Sequence, residues 1–354
     1  MEELKLLKML PPQVDIETKK ILKKTSSANK KLGELKGLIS TIPNSLIIIN
    51  TLSLREAKDS SEIENIVTTN DELFKADIDI AVENNSTKEV KNYNLALKEG
   101  HKLVKDRGIL TTNMIVEIQG ILEKNKIGIR TQMGTVLKNS KGETIYTPPQ
   151  NHSEILDLMS NLENYINTDE DDIDFLIKLA VIHYQFESIH PFYDGNGRTG
   201  RILNILYLIL KDLLDIPVLY LSSYIIKNKS EYYKLLQDVR DKNDWESWIL
   251  YILEGIEETA IDTIKMIKGI SNKMKEVKNK ILDDAPKIYS KDLLEVIFKH
   301  PYTKLEFLIN ELNVSRQTAS KYLNTLTEIG VLDKIKIQNT NYYINIKLLE
   351  ILSS

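Results

Sequence analysis

The sequence of 354 residues contains no cysteine. Disulfide bonds, thiolate metal sites and a cysteine nucleophile are therefore excluded, and this composition suits a reducing compartment. Long apolar runs are scarce too, because the most apolar stretch, residues 202–221, is interrupted by Lys211, Asp212 and Asp215 and is unsuited to span a membrane. The opening residues MEELKLLKML lack the apolar core of a signal peptide. We therefore expect a cytoplasmic protein without membrane contact.

The sequence also lacks a strong excess of charge of either sign. The chain has 47 Lys and Arg against 51 Asp and Glu, a net charge of −4, so no global basic field indicates nucleic acid. Its hydrophobic content of 42% and charged content of 28% are typical of a globular protein, and its length allows two or three domains.

The spacing of apolar residues predicts a mainly α fold with limited β structure. Residues 174–189 have a strong helical period, and Pro191 ends that helix because it lacks an N–H group. We expect a second buried helix from near Thr199 to about Leu214. Strand-forming residues on both sides of a glycine-containing turn predict a β-hairpin within 135–146. The predicted units are an N-terminal helical region (1–105), a central helical core (106–260), a helical linker (261–285) and a winged-helix-like α+β domain (286–354).

The turn between the two buried helices, residues 190–201, reads HPFYDGNGRTGR. Its histidine can take a proton near neutral pH, and its carboxylate can hold Mg²⁺. Its glycines let backbone N–H groups approach phosphate oxygens at a helix N-terminus, and its guanidinium groups match phosphate geometry. This combination suits the handling of a nucleoside triphosphate.

Three other interpretations of this turn are weaker. Residues 195–200 match the dinucleotide fingerprint G-x-G-x-x-G, but the segment before them is helical rather than a strand. A Walker A loop is excluded because no Lys-Ser or Lys-Thr follows the glycines. His183, Glu187 and His190 share a helical face, yet no HExxH motif exists, so we interpret His183 as a hydrogen-bonded helix residue rather than a zinc ligand.

The string 190–201 matches, at every defined position, the signature HPFx[DE]GNGRxxR of the Fic family. The chain resembles that family elsewhere too: the hairpin with Tyr146-Thr147-Pro148-Pro149 is similar to its target-docking flap, and residues 10–64 to the N-terminal region of a large subgroup. The resemblance implies a Fic-fold helical core and transfer of AMP from ATP to a Ser, Thr or Tyr hydroxyl of a protein, or of the chain itself, with Mg²⁺ as cofactor.

The resemblance also implies roles for individual residues. His190 would accept the proton of the target hydroxyl, Asp194 would hold Mg²⁺, and Tyr233 matches a position that contacts adenine. The Asn196 amide would point to phosphate oxygens, and the two arginines would balance charge on the β- and γ-phosphates. The full ATP-binding and phosphate-binding set is Asp194, Gly195, Asn196, Gly197, Arg198, Gly200, Arg201 and Tyr233. Glycine at 197, where kinase-like relatives have lysine, favours AMP transfer.

Residues 60–65, SSEIEN, fit the family's inhibitory motif [ST]xxxE[GN], in which Ser60, Glu64 and Asn65 are the defined positions. By resemblance Glu64 would pair with Arg201, occupy the γ-phosphate site and hold ATP unproductively. In relatives the same glutamate supports removal of AMP from targets, so de-AMPylation is open for this chain.

The C-terminal unit supports an alternative function. Residues 305–312 and 315–329 resemble a helix-turn-helix, with Ser315 as N-cap, and 331–346 predict the strands of a wing. Four residues of the second helix suit phosphate or base contact: Arg316, Gln317, Ser320 and Lys321. The chain would then be a DNA-binding regulator that senses nucleotide. Only nine basic residues face seven acidic ones in 286–354, and such units also serve as protein-docking or dimerisation modules, so DNA, another protein and a second copy of the chain remain open as partners.

Overall fold

The computed structural model describes residues 7–42, 44–69, 72–73, 84–125, 127–138, 141–337 and 340–353. Within these ranges the chain is mainly helical, with a two-stranded hairpin and a three-stranded sheet, which confirms the predicted fold class. None of the helices in this part of the chain is long and apolar enough to cross a membrane.

The N-terminal region contains α1 (Lys19–Ile39), α2 (Ser45–Ile63) and α3 (Asn85–Arg107). Helix α2 is largely buried and connects two distant parts of the molecule. At its N-terminus the side chain of Asn44 caps the first turn and donates from Nδ2 to Glu295 Oε2 of the C-terminal unit at 3.0 Å. At its other end Glu64 is the C-cap residue. Helix α2 therefore fixes where the Glu64 side chain enters the core.

The central region contains α4 (Thr112–Glu123), β1 (Leu137–Lys138), β2 (Thr144–Tyr146), α5 (His152–Asn167), α6 (Phe175–Ile189) and α7 (Asn196–Leu210). Helices α6 and α7 pack against each other and are buried along almost their whole length. The predicted hairpin is confirmed as an antiparallel pair in which Leu137 faces Tyr146, although residues 139–140 of its turn lie outside the described part.

Helix α7 begins and ends earlier than the sequence predicts. It starts at Asn196 rather than near Thr199, because Gly195 takes a left-handed conformation (φ +73°) and reverses the chain at once. It ends at Leu210 rather than Leu214. The motif is therefore a short turn followed by the first turns of α7.

Three further helices complete this region: α8 (Leu221–Lys227), α9 (Lys229–Lys242) and α10 (Trp245–Asp284). Helix α10 has 40 residues and runs without a break across the predicted boundary at 260/261. The segment predicted as a linker, 261–285, is its second half and buries Ile264, Ile267 and Ile270. The helix ends just before Pro286, as the sequence indicates.

The C-terminal unit contains α11 (Lys291–Lys299), β3 (Tyr302–Lys304), α12 (Leu305–Leu312), α13 (Arg316–Glu328), β4 (Asp333–Ile337), β5 (Thr340–Ile344) and α14 (Ile346–Ser353). The helix-turn-helix and its Ser315 cap are where the sequence predicts them. The sequence missed β3, which pairs with β5 so that the antiparallel strand order is β3-β5-β4. Residues 338–339 of the predicted wing lie outside the described part.

Candidate active site

The motif places a cluster of backbone N–H groups at the N-terminus of buried helix α7. Gly195 is the N-cap residue and supplies no side-chain cap, so the N–H groups of the first turn are not capped by a side chain of that residue. The helix dipole favours an anion at the same point. The phosphate cradle that the sequence predicts would lie at this helix N-terminus, around residues 195–197.

His190 lies at the C-cap of α6 in a left-handed conformation (φ +48°). Its Nδ1 atom is buried and has no hydrogen-bond partner among the described residues. Burial, and then the positive charges of Arg130 and Arg240, lower the pKa of His190 to about 4. The imidazole is therefore neutral at neutral pH and can accept a proton.

Arg130 fixes this turn, and sequence reasoning missed it. Its Nε donates to His190 O at 2.8 Å, and its Nη2 donates to Pro149 O and, at 3.4 Å, to Ile189 O. Its backbone N–H donates to Pro191 O at 2.9 Å. One fully buried guanidinium thus joins the segment after the hairpin to the end of α6.

The hairpin itself is anchored beside the His190 turn. Tyr146 Oη donates to Ser188 O at 2.9 Å, and the guanidinium of Arg240 lies 3.8 Å from the centre of the Tyr146 ring. At the hairpin base, Gln150 accepts from the backbone N–H of Gly134 at 2.7 Å. The hairpin therefore has a fixed position next to His190.

Asn196 has a different role from the one expected. Its Oδ1 accepts from the backbone N–H of Phe192 at 2.8 Å, and its Nδ2 donates to the Phe192 carbonyl at 2.9 Å. The side chain is buried and closes the motif turn. The expectation that its amide points to phosphate oxygens is wrong, because both ends of the amide bind the loop backbone.

Asp194 is exposed at the edge of the cradle. Its Oδ1 accepts from the Gly195 N–H at 2.7 Å, which holds the carboxylate in place. No group of three or more His, Cys, Asp or Glu side chains in the described ranges can hold a metal ion. One exposed carboxylate fits Mg²⁺, which is usually bound by one or two carboxylates together with substrate phosphates and water.

Arg201 meets the predicted inhibitory segment directly. Its Nε donates to Ser60 Oγ at 2.7 Å, and its Nη2 donates to Ser60 O and Glu64 Oε1, both at 2.8 Å. Burial alone acts to lower the pKa of Arg201, but the Glu64 carboxylate and its other neighbours raise it. The two residues that the motifs linked across the sequence therefore form an ion pair between buried Arg201 and half-buried Glu64.

Two backbone positions allow this pair to form. A Cβ atom on Gly197 would lie 2.5 Å from Glu64 Oε1 and 2.8 Å from Arg201 Nη1, so glycine lets the ends of these two side chains meet without displacement. Asn65 has φ +66°, a left-handed conformation that glycine and asparagine tolerate best. This explains physically why either residue fits the last position of the inhibitory motif.

Arg198 is held by three carboxylates rather than lying free for phosphate. Its Nε donates to Glu64 Oε2 at 3.1 Å, its Nη1 to Glu89 Oε2 at 2.9 Å, and its Nη2 to Glu123 Oε1 at 2.8 Å. Burial raises the pKa of Glu123 although Arg198 opposes the shift. Sequence reasoning missed Glu89 and Glu123, because neither belongs to a motif.

Gly200 is a packing residue in this structure. A Cβ atom there would lie 2.6 Å from Glu187 Oε1 and 3.0 Å from Phe186 Cδ1, so glycine lets α7 approach α6. Its place in the phosphate-binding set stays a prediction. Burial raises the pKa of Glu187 to about 7.

Tyr233 packs edge-on against Tyr232, with ring centres 5.1 Å apart, and 43% of it is exposed. Its neighbour Tyr232 is buried, and its hydroxyl lies 2.9 Å from His183 Nε2. The other ring nitrogen of His183 lies 3.1 Å from Asn204 Nδ2. His183 is thus the hydrogen-bonded helix residue that the sequence predicts, and Tyr233 is open to a ligand.

Comparison with known proteins places this site in a family. Models described as "Fic/DOC family N-terminal", "Fic/DOC family" and "Protein adenylyltransferase SoFic-like, C-terminal domain" match residues 22–102, 109–208 and 274–348. The structure has a helical core with the motif turn beside a hairpin, and the family models match most of this region. The chain therefore belongs to the Fic family. The C-terminal match does not favour the DNA-binding alternative.

Among curated relatives, a probable protein adenylyltransferase of Aquifex aeolicus is 31% identical over 96 residues, which is 27% of either chain. Protein adenylyltransferase Fic of Culex quinquefasciatus is 31% identical over 103 residues, 29% of this chain and 19% of that one. The matches thus span about a quarter or less of these relatives.

The fold is similar to that of solved Fic structures. A Fic family protein from Desulfovibrio desulfuricans aligns with a TM-score of 0.62 at 17% identity. The alignment covers 95% of this chain and 98% of that structure's chain. Fic-1 from Caenorhabditis elegans aligns with a TM-score of 0.55 at 18% identity, and the alignment covers 70% of this chain and 74% of that structure's chain. At these identities the likeness concerns the fold alone.

Proposed function

We propose that this chain is a protein adenylyltransferase that moves AMP from ATP to a hydroxyl side chain of a protein. The observation that carries the proposal is the juxtaposition of neutral His190 with the anion cradle of α7. Curated relatives named protein adenylyltransferase support it.

The chemistry requires one proton acceptor and a site for the phosphates. The target oxygen forms a bond to the α-phosphorus, the bond from that phosphorus to the bridging oxygen of the β-phosphate breaks, and pyrophosphate leaves. The hydroxyl proton moves to the His190 ring, whose pKa of about 4 keeps it unprotonated beforehand. The N–H groups at the start of α7 orient the phosphates. The hairpin aligns an extended target segment by strand addition.

Asp194 is the residue that would hold Mg²⁺. The ion would neutralise charge on the phosphates. The carboxylate fits because it is exposed and fixed by the Gly195 N–H.

In this proposal Glu64 inhibits the active site. Its carboxylate lies against Arg201 and Arg198, the two guanidinium groups of the motif that suit phosphate binding. ATP therefore competes with Glu64 for these arginines, and removal of the carboxylate should release activity.

Transfer from ATP labelled at the α-phosphorus tests the proposal with wild type, Glu64→Gly and His190→Ala. We expect more self-labelling or lysate labelling with Glu64→Gly, and none with His190→Ala. Label at the γ-phosphorus should not transfer. Glu62→Gln is the matched control, since Glu62 is close in sequence but forms its ion pair with Lys58. Absence of α-label from Glu64→Gly, or transfer of γ-label, contradicts AMP transfer.

A further inference from the structure

A second carboxylate, that of Glu123, lies in the cradle and shares Arg198 with Glu64. Glu123 is the last residue of α4, and its Oε1 accepts from Arg198 Nη2 at 2.8 Å. A Cβ atom on Gly195 would overlap the same oxygen. The Glu123 carboxylate therefore lies directly on the N-cap residue of α7, where an external anion is expected.

The cradle is divided into two similar subsites. In one, Glu64 contacts Arg201 beside Gly197; in the other, Glu123 contacts Arg198 beside Gly195. Each subsite thus combines a guanidinium, a glycine that leaves room and a carboxylate in the place of an anion.

The two carboxylates come from different helices, so one can be removed without the other. Glu123 has 13% of its side chain exposed, whereas Glu89, the third partner of Arg198, has 39% and lies at the rim. Glu123 is therefore the partner of Arg198 that competes most directly with a ligand in the cradle.

We propose that Glu123 occupies an anion subsite for one phosphate group of ATP and thereby lowers nucleotide affinity in addition to Glu64. The inference rests on the proposed function but concerns binding rather than transfer. It follows that loss of Glu64 alone leaves Arg198 engaged, and that ATP binds fully only when Glu123 has also moved away.

Binding to the full-length chain tests this assignment without relying on catalysis. Isothermal titration with a non-hydrolysable ATP analogue and with inorganic pyrophosphate, each with Mg²⁺, compares wild type with Glu123→Gln. We expect Glu123→Gln to lower the Kd of both ligands by about tenfold, the effect of losing one charge-assisted contact. Adenosine, which has no phosphate, should bind equally to both. The double variant with Glu64→Gly should bind the ATP analogue more tightly than either single variant.

Glu117→Gln is the matched control, because Glu117 lies on the same helix but is exposed, and it should leave every Kd unchanged. Glu123→Ala repeats the test if the glutamine variant does not fold. Equal Kd values for wild type and the Glu123 variants overturn the inference, as does an equal gain for adenosine. If the Kd values change but no variant transfers AMP, the subsite stands and the proposed activity fails.

Discussion

Replacing Glu64 by glutamine should lower the free energy of unfolding. The size of the change depends on the contacts that Arg201 and Arg198 make with Glu64 and with other residues. The substitution keeps the shape of the side chain and removes its charge. Two charge-assisted contacts weaken: Arg201 Nη2 to Oε1 at 2.8 Å and Arg198 Nε to Oε2 at 3.1 Å. Loss of the only partner of a buried charge costs about 3–5 kcal/mol.

The loss here should be smaller, because neither arginine is left alone. Arg201 retains Ser60 Oγ and Ser60 O, and Arg198 retains Glu89 and Glu123. We therefore expect the free energy of unfolding to fall by about 1.5–3 kcal/mol, the value of one hydrogen bond to a charged group.

Urea unfolding measures this change through the fluorescence of the chain's two tryptophans, Trp245 and Trp248, which are buried in α10. ATP should raise the unfolding midpoint of Glu64→Gln more than that of wild type, because its phosphates replace the lost charge. Glu62→Gln should stay within about 0.5 kcal/mol of wild type. A wild-type midpoint for Glu64→Gln, together with equal stabilisation by ATP, would refute this ion pair.

Three further predictions concern groups around the site. Arg130→Met should raise the pKa of His190 from about 4 and slow AMP transfer by about 100-fold through misplacement of the turn; an unchanged imidazole titration by NMR would refute the charge effect. Asn196→Ala should lower the free energy of unfolding by about 1–3 kcal/mol, because the buried N–H and C=O of Phe192 lose their partners, and an unchanged urea midpoint would contradict this. Glu56 is buried in α2, where its Oε1 accepts from Tyr93 Oη at 3.1 Å. Burial raises the pKa of Glu56 to about 8 from 4.5, so its contribution to stability is complete below pH 4.5 and lost as the pH rises through about 8, at no more than about 1.4 kcal/mol per pH unit. Glu56→Gln should remove that slope in urea unfolding, and an equal slope in both proteins would show that folding does not raise the pKa of Glu56.

The parts that the sequence predicts well are those in which local pattern and local chemistry agree. Helix α6 follows from its apolar period, the turn from Pro191, and the cradle from the glycines that precede a buried helix. No local rule joins residues as far apart in the chain as Glu64 and Arg201. Their pairing was expected only because each belongs to a motif of the family that the sequence resembles.

Other features depend on tertiary contacts that leave no periodic signal. Arg130 and Glu123 are single charged residues outside any motif. Their partners, the His190 carbonyl and the Arg198 guanidinium, lie far from them in the sequence and are reached only through tertiary packing. The early start of α7 depends on the left-handed conformation of Gly195, which composition permits but does not require. The role of Asn196 was mistaken because an amide can bind a phosphate or the backbone equally well.

The space around Gly197 also links the anion site to its restraint. Any side chain at that position meets both Glu64 and Arg201 within 3 Å, so a single substitution there alters the cradle and displaces the restraining carboxylate together. A larger residue at 197 would push the end of the Glu64 side chain further from Arg201. A substitution there would therefore change the anion site and its restraint together.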